Sequence, residues 1–104
     1  MQPEAKIVKA IKKMIKERGG FCFKVWGSEY MMAGLPDLII CYRGRFVAME
    51  VKTAIGEVSA RQRYVHGLIE RAGGVVDVPR SVDDASNILD IVDVLIETEQ
   101  SSQT

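Results

Sequence analysis

The sequence predicts a small α/β domain with a mixed four-stranded sheet flanked by helices, in the order α-β-β-β-α-β-α. Apolar residues recur at helical spacing in three segments, and short runs rich in β-branched and aromatic residues lie between these segments. Pairs of glycines end two of the helical segments. The 104 residues are enough for one hydrophobic core. We therefore expect a single domain over residues 1–97 and a frayed polar tail over residues 98–104.

The first helix is predicted over Pro3–Arg18, because proline suits the first helical position and Gly19-Gly20 suits the end. An apolar stripe follows one side of this helix and contains Ile7, Val8, Ile11, Met14 and Ile15. At about 100° per residue, Glu4 falls on the same line as this stripe, so it is predicted to point toward the body of the protein. A first-turn glutamate that complements the helix dipole is the alternative.

A strand is predicted over Phe21–Trp26 and a loop over residues 27–36. Two apolar runs, Asp37–Tyr42 and Arg45–Lys52, then meet at Arg43-Gly44, which is typical of a tight hairpin turn. The loop and the strand before it carry large apolar side chains that are predicted to form a dimer contact, with a wedge at a DNA branch as the alternative: Trp26, Tyr30, Met31 and Met32.

The rest of the chain predicts a helical crossover to a fourth strand. A second helix begins at Ser59, with Gln62 as its capping-box partner, and ends at Gly73-Gly74. Val75–Val78 is a short strand, and the last helix begins in Ser81–Asp84. Three meandering strands and one reached through a helix give a mixed sheet.

The length of the hairpin turn decides which side chains share a face. A two-residue loop places Asp37 opposite Glu50, with Cβ atoms about 4.5–5.5 Å apart. Lys52, two residues further on, then projects from the same face, whereas a three-residue loop would move Asp37 to the other face. Two carboxylates this close repel each other unless a cation or a proton lies between them. Asp37 alone is also a reasonable turn residue, and Glu50 with Lys52 an exposed edge pair. Together, inside apolar runs, they predict a metal-dependent hydrolytic site.

Mg²⁺ prefers this kind of ligand set. It binds one or two carboxylates, waters and phosphate oxygens, so Asp37 and Glu50 would supply carboxylates and the backbone carbonyl of Val51 a further oxygen. The metal would lower the pKa of a bound water and neutralise charge on a scissile phosphate. Lys52 would orient the attacking water or stabilise the developing negative charge.

With these residues the chain resembles the PD-(D/E)xK nuclease superfamily, and within it the VRR-NUC (virus-type replication-repair nuclease) branch. The motif reads Gly34-Leu35-Pro36-Asp37, then twelve residues, then Glu50-Val51-Lys52, followed by Gly56, Ser59 and Gln62. The resemblance covers roughly residues 3–80. It implies a restriction-endonuclease-like core whose catalytic residues are Asp37, Glu50 and Lys52. It also implies that Glu4 assists metal binding and that Gln62 lies beside the active centre.

The resemblance further implies Mg²⁺- or Mn²⁺-dependent endonucleolytic cleavage of DNA. Small stand-alone members look like phage or bacterial proteins and are similar to Holliday-junction resolvases, which implies a homodimer acting on branched DNA. Three alternatives stay open. They are a nuclease acting on RNA or simple DNA ends, a non-catalytic nucleic-acid-binding module of the same fold, and a structural subunit whose acidic last helix docks a basic partner.

Charge is distributed unevenly along the chain although the net charge is zero. Residues 1–24 hold seven Lys or Arg and two Glu, whereas residues 81–104 hold six acidic residues and no Lys or Arg. A basic end suits an anionic partner. The candidate contacts to a DNA backbone are Lys6, Lys9, Arg61, Arg63 and His66. Solvated helix faces, and a packing role for His66, are the alternatives.

Composition excludes several other classes of protein. The apolar fraction of 47% and charged fraction of 27% are those of an ordinary globular domain. No apolar run approaches the roughly 18 residues of a membrane span, and the N-terminus has no signal-type stretch. We expect no membrane partner and a cytoplasmic location, in a bacterial or phage-infected host cytosol. Cys22 and Cys41 are predicted to be buried and reduced, and their spacing does not favour a zinc site.

Overall fold

The computed structural model describes residues 2–102 and has the predicted order of elements. The helices are α1 (Glu4–Glu17), α2 (Ala60–Arg71) and α3 (Val82–Ser102). The strands are β1 (Phe21–Lys24), β2 (Leu38–Tyr42), β3 (Arg45–Met49) and β4 (Val75–Asp77). The predicted fold class, a mixed four-stranded sheet with flanking helices, is confirmed.

The sheet has the strand order β1-β2-β3-β4. The first three strands are antiparallel, and β4 is parallel to β3 because α2 forms the crossover between them. Helices α1 and α3 cover one face, and α2 packs on the other face near β4. The buried core between α1, α3 and the sheet includes Ile11, Ile15, Leu38, Ile40, Val47, Met49, Leu89 and Val92.

The hairpin between β2 and β3 has a two-residue turn. Arg43 and Gly44 both have positive φ, 51° and 78°, as a type I′ turn requires. Leu38 lies opposite Met49 in the resulting ladder. The two-residue loop is therefore confirmed and the three-residue alternative is wrong. Asp37 and Glu50 are the next residues beyond the Leu38–Met49 pair, so they lie opposite each other.

One face of the sheet is covered only in part. Phe21, Phe23 and Phe46 are between 47% and 67% exposed, because α2 does not extend over β1 and β2. Cys41 projects from this face and is exposed, and Cys22 is half-buried; both are free thiols. The prediction that both cysteines are buried was wrong, since strand alternation indicates a face but not whether a helix covers it.

Helix α3 continues to Ser102, where the sequence predicted a polar tail from residue 98. Glu99 pairs with Arg45 on β3, and the Ser102 hydroxyl donates to the Glu99 carbonyl at 2.9 Å. These contacts account for the extra helical turn, and residues 103–104 lie outside the described part of the chain. Across residues 2–102, no helix combines the length and the apolar character needed to cross a membrane.

Candidate active site

Asp37 and Glu50 lie at one end of the sheet, directly before β2 and directly after β3. The backbone of Asp37 is fixed on the β1 side, where its carbonyl accepts from the Val25 N–H at 2.7 Å. Its side chain is fixed on the other side, where Oδ2 accepts from the Val51 N–H at 2.7 Å. Asp37 therefore bridges two neighbouring chain segments, and its carboxylate is held beside the Glu50-Val51-Lys52 segment.

The turn that leads into Asp37 depends on Gly34. This residue has φ of +85°, and a Cβ at this position would lie 2.9 Å from the carbonyl oxygen of Arg61 on α2. A larger residue would therefore be strained in conformation and would collide with backbone. The glycine lets the segment before β2 pack tightly on α2, which sets the position of Asp37.

Glu50 is a buried acid with an incomplete set of partners. The residue is 2% exposed, and its Oε1 atom has no hydrogen-bond partner among the described residues. Burial, together with the hydrogen bond and charge of Asp37, raises the pKa of Glu50 to about 8, against the opposing effect of Lys52. In the absence of a cation, the buried carboxyl therefore holds a proton that Asp37 can share.

Lys52 lies on the same side of the site. Its Nζ atom is 3.7 Å from Glu50 Oε2, and its side chain is 16% exposed. The Lys52 N–H donates to the Pro79 carbonyl at 3.2 Å, which continues the parallel pairing beyond β4. The structure thus brings the two acids and the amine together at the end of β3.

His66 faces the unpartnered oxygen of Glu50. Its Nε2 atom is 4.0 Å from Oε1, and both atoms are buried without a hydrogen-bond partner in the part of the chain described. Burial lowers the pKa of the imidazole, so His66 is neutral at physiological pH. His66 lines the carboxylate from behind and is buried, as in the packing role that the sequence left open for it beside a DNA contact.

Gln62 forms the predicted capping box. The side-chain Oε1 of Gln62 accepts from the backbone N–H of Ser59 at 2.9 Å, and the backbone N–H of Gln62 donates to Ser59 Oγ at 3.1 Å. The acceptor of the amide is therefore used at the start of α2, and the NH₂ group is the part that is left for the site.

Glu4 is exposed, so the prediction that it points toward the body of the protein was wrong. It lies in the first turn of α1, about one turn before the first buried residues of the stripe, Ile7 and Val8. Helical periodicity gave the direction of the side chain but not the point at which the helix meets the sheet. Its charge still acts on the site, since it contributes to the raised pKa of Glu50.

Arg61 and Arg63 are exposed but are held by backbone carbonyls. Arg61 Nε donates to Ala33 at 3.2 Å, and Arg63 Nη1 donates to Val58 at 2.7 Å. Both side chains therefore stabilise loops that precede α2: the loop before β2 and the loop between β3 and α2. Lys6 and Lys9, the other exposed cations named from the sequence, lie on α1.

Arg80 is a residue that sequence reasoning missed. Its Nη1 atom donates to the carbonyls of Thr53 and Gly56, both at 2.6 Å. It therefore fixes the loop that follows Lys52. Its position shortly after β4 is a weak signal in the sequence, because its contacts span 24 residues or more.

The donor set fits a hard divalent cation. Two carboxylates, one with a free buried oxygen, suit Mg²⁺ or Mn²⁺, which complete their shells with water and phosphate oxygens. Within residues 2–102, no three His, Cys, Asp or Glu side chains cluster to hold a metal by themselves. Among these described residues, exposed Glu4 in particular is not gathered with Asp37 and Glu50.

A comparison with solved structures finds a match over most of the chain. A solved structure described as a VRR_NUC domain superimposes with a TM-score of 0.72 and is 25% identical, over 84% of this chain and 94% of that chain. No family model matches the sequence, and no curated protein matches it. The family resemblance seen in the motif is thus confirmed by the fold.

Proposed function

We propose that this domain, with its VRR_NUC fold, is a metal-dependent endonuclease that hydrolyses DNA phosphodiester bonds. The observation that carries the proposal is the buried Glu50 carboxyl, which lies between Asp37 and Lys52 and has one oxygen without a partner. Burying an acid in this way is costly unless a cation or a proton neutralises it. A buried acid that destabilises the fold in this way is better explained by a role in catalysis than by a role in stability.

The metal would be held by Asp37, Glu50 and the backbone carbonyl of Val51. When bound, Mg²⁺ or Mn²⁺ would lower the pKa of a water and neutralise charge on the phosphate. A bound cation would take the place of the proton on Glu50, and that proton would pass to solvent. The amine of Lys52, 3.7 Å from Glu50, orients the attacking water or stabilises the negative charge that develops on the phosphate.

Three further residues have supporting roles in this proposal. His66 orients the inner oxygen of Glu50 from behind, as its 4.0 Å approach suggests. The free NH₂ group of Gln62 contacts the substrate or a bound water. Glu4 contributes negative charge near the metal rather than a direct bond, since its side chain is exposed.

The preferred substrate in this proposal is branched DNA, cut by a homodimer as in a Holliday-junction resolvase. Exposed apolar side chains support a contact between two copies: Tyr30 is 90% exposed, and Met31 and Met32 are 45% and 46% exposed. The second candidate is a nuclease acting on RNA or on simple DNA ends, because the same site would serve that chemistry.

A cleavage assay tests the proposal. Labelled four-way junction, flap, linear duplex and single-stranded RNA are incubated with the protein in Mg²⁺, in Mn²⁺ and in EDTA. We expect metal-dependent cuts, fastest on branched DNA, that fall at least about 100-fold in Asp37→Ala and in Lys52→Ala.

Arg71→Ala is the matched control, since Arg71 is exposed in the last turn of α2. We expect this variant to cut like the wild type. Folded wild-type protein that cuts none of the four substrates with either metal would contradict the proposal. Cuts in RNA alone would favour the second candidate.

A further inference from the structure

The five lysines of α1 share one side of the helix. At about 100° per residue they fall within an arc of about 120°, opposite the buried stripe. All of them are exposed: Lys6, Lys9, Lys12, Lys13 and Lys16. Helix α1 therefore presents a band of cations from Lys6 to Lys16.

These lysines border a groove between α1 and β1, which we call the lysine groove. Its larger part has a volume of about 750 Å³ and is lined further by Ala10, Gly20, Phe21 and Cys22. A smaller part of about 260 Å³ shares Lys9 and Lys12 and is lined further by Lys24 and Trp26. Among the described residues that line both parts, none is acidic.

The charges in the lysine groove are not neutralised by the protein. Arg18, Arg43 and Arg45 pair with acids of α3, and Lys52 pairs with Glu50. Six lysines line the groove, the five of α1 and Lys24. Within residues 2–102, by contrast, none of these six makes an ion pair. The acidic last helix thus offsets the arginines and leaves these lysines available for an anionic partner.

One end of the lysine groove, at Trp26, lies at the same end of the sheet as Asp37. Trp26 directly follows Val25, whose N–H donates to the Asp37 carbonyl at 2.7 Å. From Lys6 to Lys16 the helix rises about 15 Å. That distance corresponds to about four steps of a DNA strand at roughly 3.4 Å each.

We propose that the lysine groove binds the phosphate backbone of the nucleic-acid arm that leads into the active site. The inference rests on the proposed nuclease function and assigns the path of its substrate to α1 and β1, not to the arginines of α2. Trp26, with Lys24 Nζ 5.1 Å from its ring, stands at the site end of the groove and offers a face on which a base stacks.

The salt dependence of DNA binding tests this path. Affinity for a labelled duplex is measured in EDTA at several salt concentrations, so that no cleavage occurs. The wild type is compared with two triple variants that each remove three cations. The groove variant carries Lys9→Gln, Lys12→Gln and Lys16→Gln, and the control variant carries Arg61→Gln, Arg63→Gln and Arg71→Gln.

The groove variant is expected to reduce the slope of log affinity against log salt by about 2 to 3, since each phosphate contact contributes roughly 0.9. At about 0.1 M salt its affinity should fall by at least about 10-fold. The control variant should keep the slope of the wild type. Far-ultraviolet circular dichroism confirms that each variant is folded.

Trp26 provides a second readout because it is the sole tryptophan of the chain. Its emission should change when DNA is added to the wild type and to the control variant, and with the groove variant the same change should require at least about 10-fold more DNA. Equal losses in both triple variants, or no loss in the groove variant, would overturn the proposal. So would a groove variant that keeps its DNA affinity but no longer binds phosphatidylglycerol vesicles, since the occupant would then be a membrane surface.

The result is independent of catalysis. Binding through the lysine groove without any metal-dependent cut would contradict the nuclease function and leave the groove assignment intact. Metal-dependent cutting with an unchanged salt slope in the groove variant would contradict the groove assignment alone.

Discussion

Glu50 is the residue on which the chemistry of the site depends. Its N–H donates to the Asp77 carbonyl at 3.0 Å, so the backbone cannot move the side chain out of the protein without breaking the pairing of β3 with β4. Its carboxyl is consequently confined between Lys52, His66 and Asp37. A cation or a proton must accompany it there.

The raised pKa of Glu50 predicts a pH-dependent cost to stability in the metal-free protein. The folded pKa of about 8 exceeds the ordinary value of 4.5, so the cost is absent below about pH 4.5 and grows as pH rises to about 8. Glu50→Gln should therefore unfold at a higher temperature than the wild type at about pH 9. The two proteins should unfold at similar temperatures near pH 4.5.

Thermal unfolding in EDTA at both pH values checks this prediction. One pKa unit corresponds to about 1.4 kcal/mol, so the advantage at high pH should be readily measured. Adding Mn²⁺ at high pH should stabilise the wild type more than the variant, since a cation takes the place of the proton. A difference in unfolding temperature that is the same at both pH values would contradict this account of Glu50.

At the scale of elements, the site depends on how the chain leaves β3. The Lys52 N–H donates to the Pro79 carbonyl, and Arg80 then holds the carbonyls of Thr53 and Gly56. Three consecutive fixed points therefore constrain Lys52 and the loop behind it. Moving a catalytic group by about 1 Å can lower the rate about 100-fold, so we expect this constraint to affect the proposed cleavage as well as stability.

Arg80→Ala should loosen the loop over residues 53–58 and lower the cleavage rate by about 10-fold or more, with a smaller change in substrate affinity. Hydrogen exchange across the loop measures the structural part without depending on catalysis. Arg80→Lys should restore little, since a single ammonium does not reproduce the guanidinium geometry. If exchange in the loop is unchanged in Arg80→Ala, then Arg80 does not position Lys52.

At the scale of the whole molecule, Asp93 on α3 joins three parts of the fold. Its carboxylate accepts from Arg18 at the end of α1, from the Tyr42 hydroxyl and from Arg43 in the hairpin turn, each at 2.9 Å. Arg43 and the other two donors lower the pKa of Asp93 below its ordinary value of 3.8. The stabilisation is therefore present above about pH 4 and is lost as pH falls through the lowered pKa.

Asp93→Asn should reduce the unfolding temperature at neutral pH by on the order of 5 °C. The difference from the wild type should shrink at acidic pH, where the wild-type carboxylate gains a proton. Asp83→Asn, which removes an exposed acid from the first turn of α3, is a suitable control. An equal effect of the two substitutions at neutral pH would mean that Asp93 does not join the three parts.

Local rules predicted the parts of the molecule that local interactions determine. The hairpin register followed from the two turn residues Arg43 and Gly44, and the capping box followed from the spacing of Ser59 and Gln62. Because register alone decides which side chains share a face, the sequence also indicated that the two acids lie side by side.

Features that depend on distant packing were not predictable in this way. Glu4 is exposed because α1 begins before the helix meets the sheet, and Cys41 is exposed because α2 covers only part of its face. The role of Arg80 and the extension of α3 depend on contacts that span 24 to 54 residues. Periodicity and turn chemistry carry no information about such separations.

The most direct test of the central claim separates metal binding from cleavage at the same site. Mn²⁺ binding is measured by calorimetry, beside the cleavage rate, for the wild type, Asp37→Ala and Lys52→Ala. We predict that Asp37→Ala loses both metal binding and cleavage, whereas Lys52→Ala keeps metal binding and loses cleavage. Wild-type protein that binds no Mn²⁺, or Asp37→Ala that binds it as the wild type does, would contradict the assignment of this site.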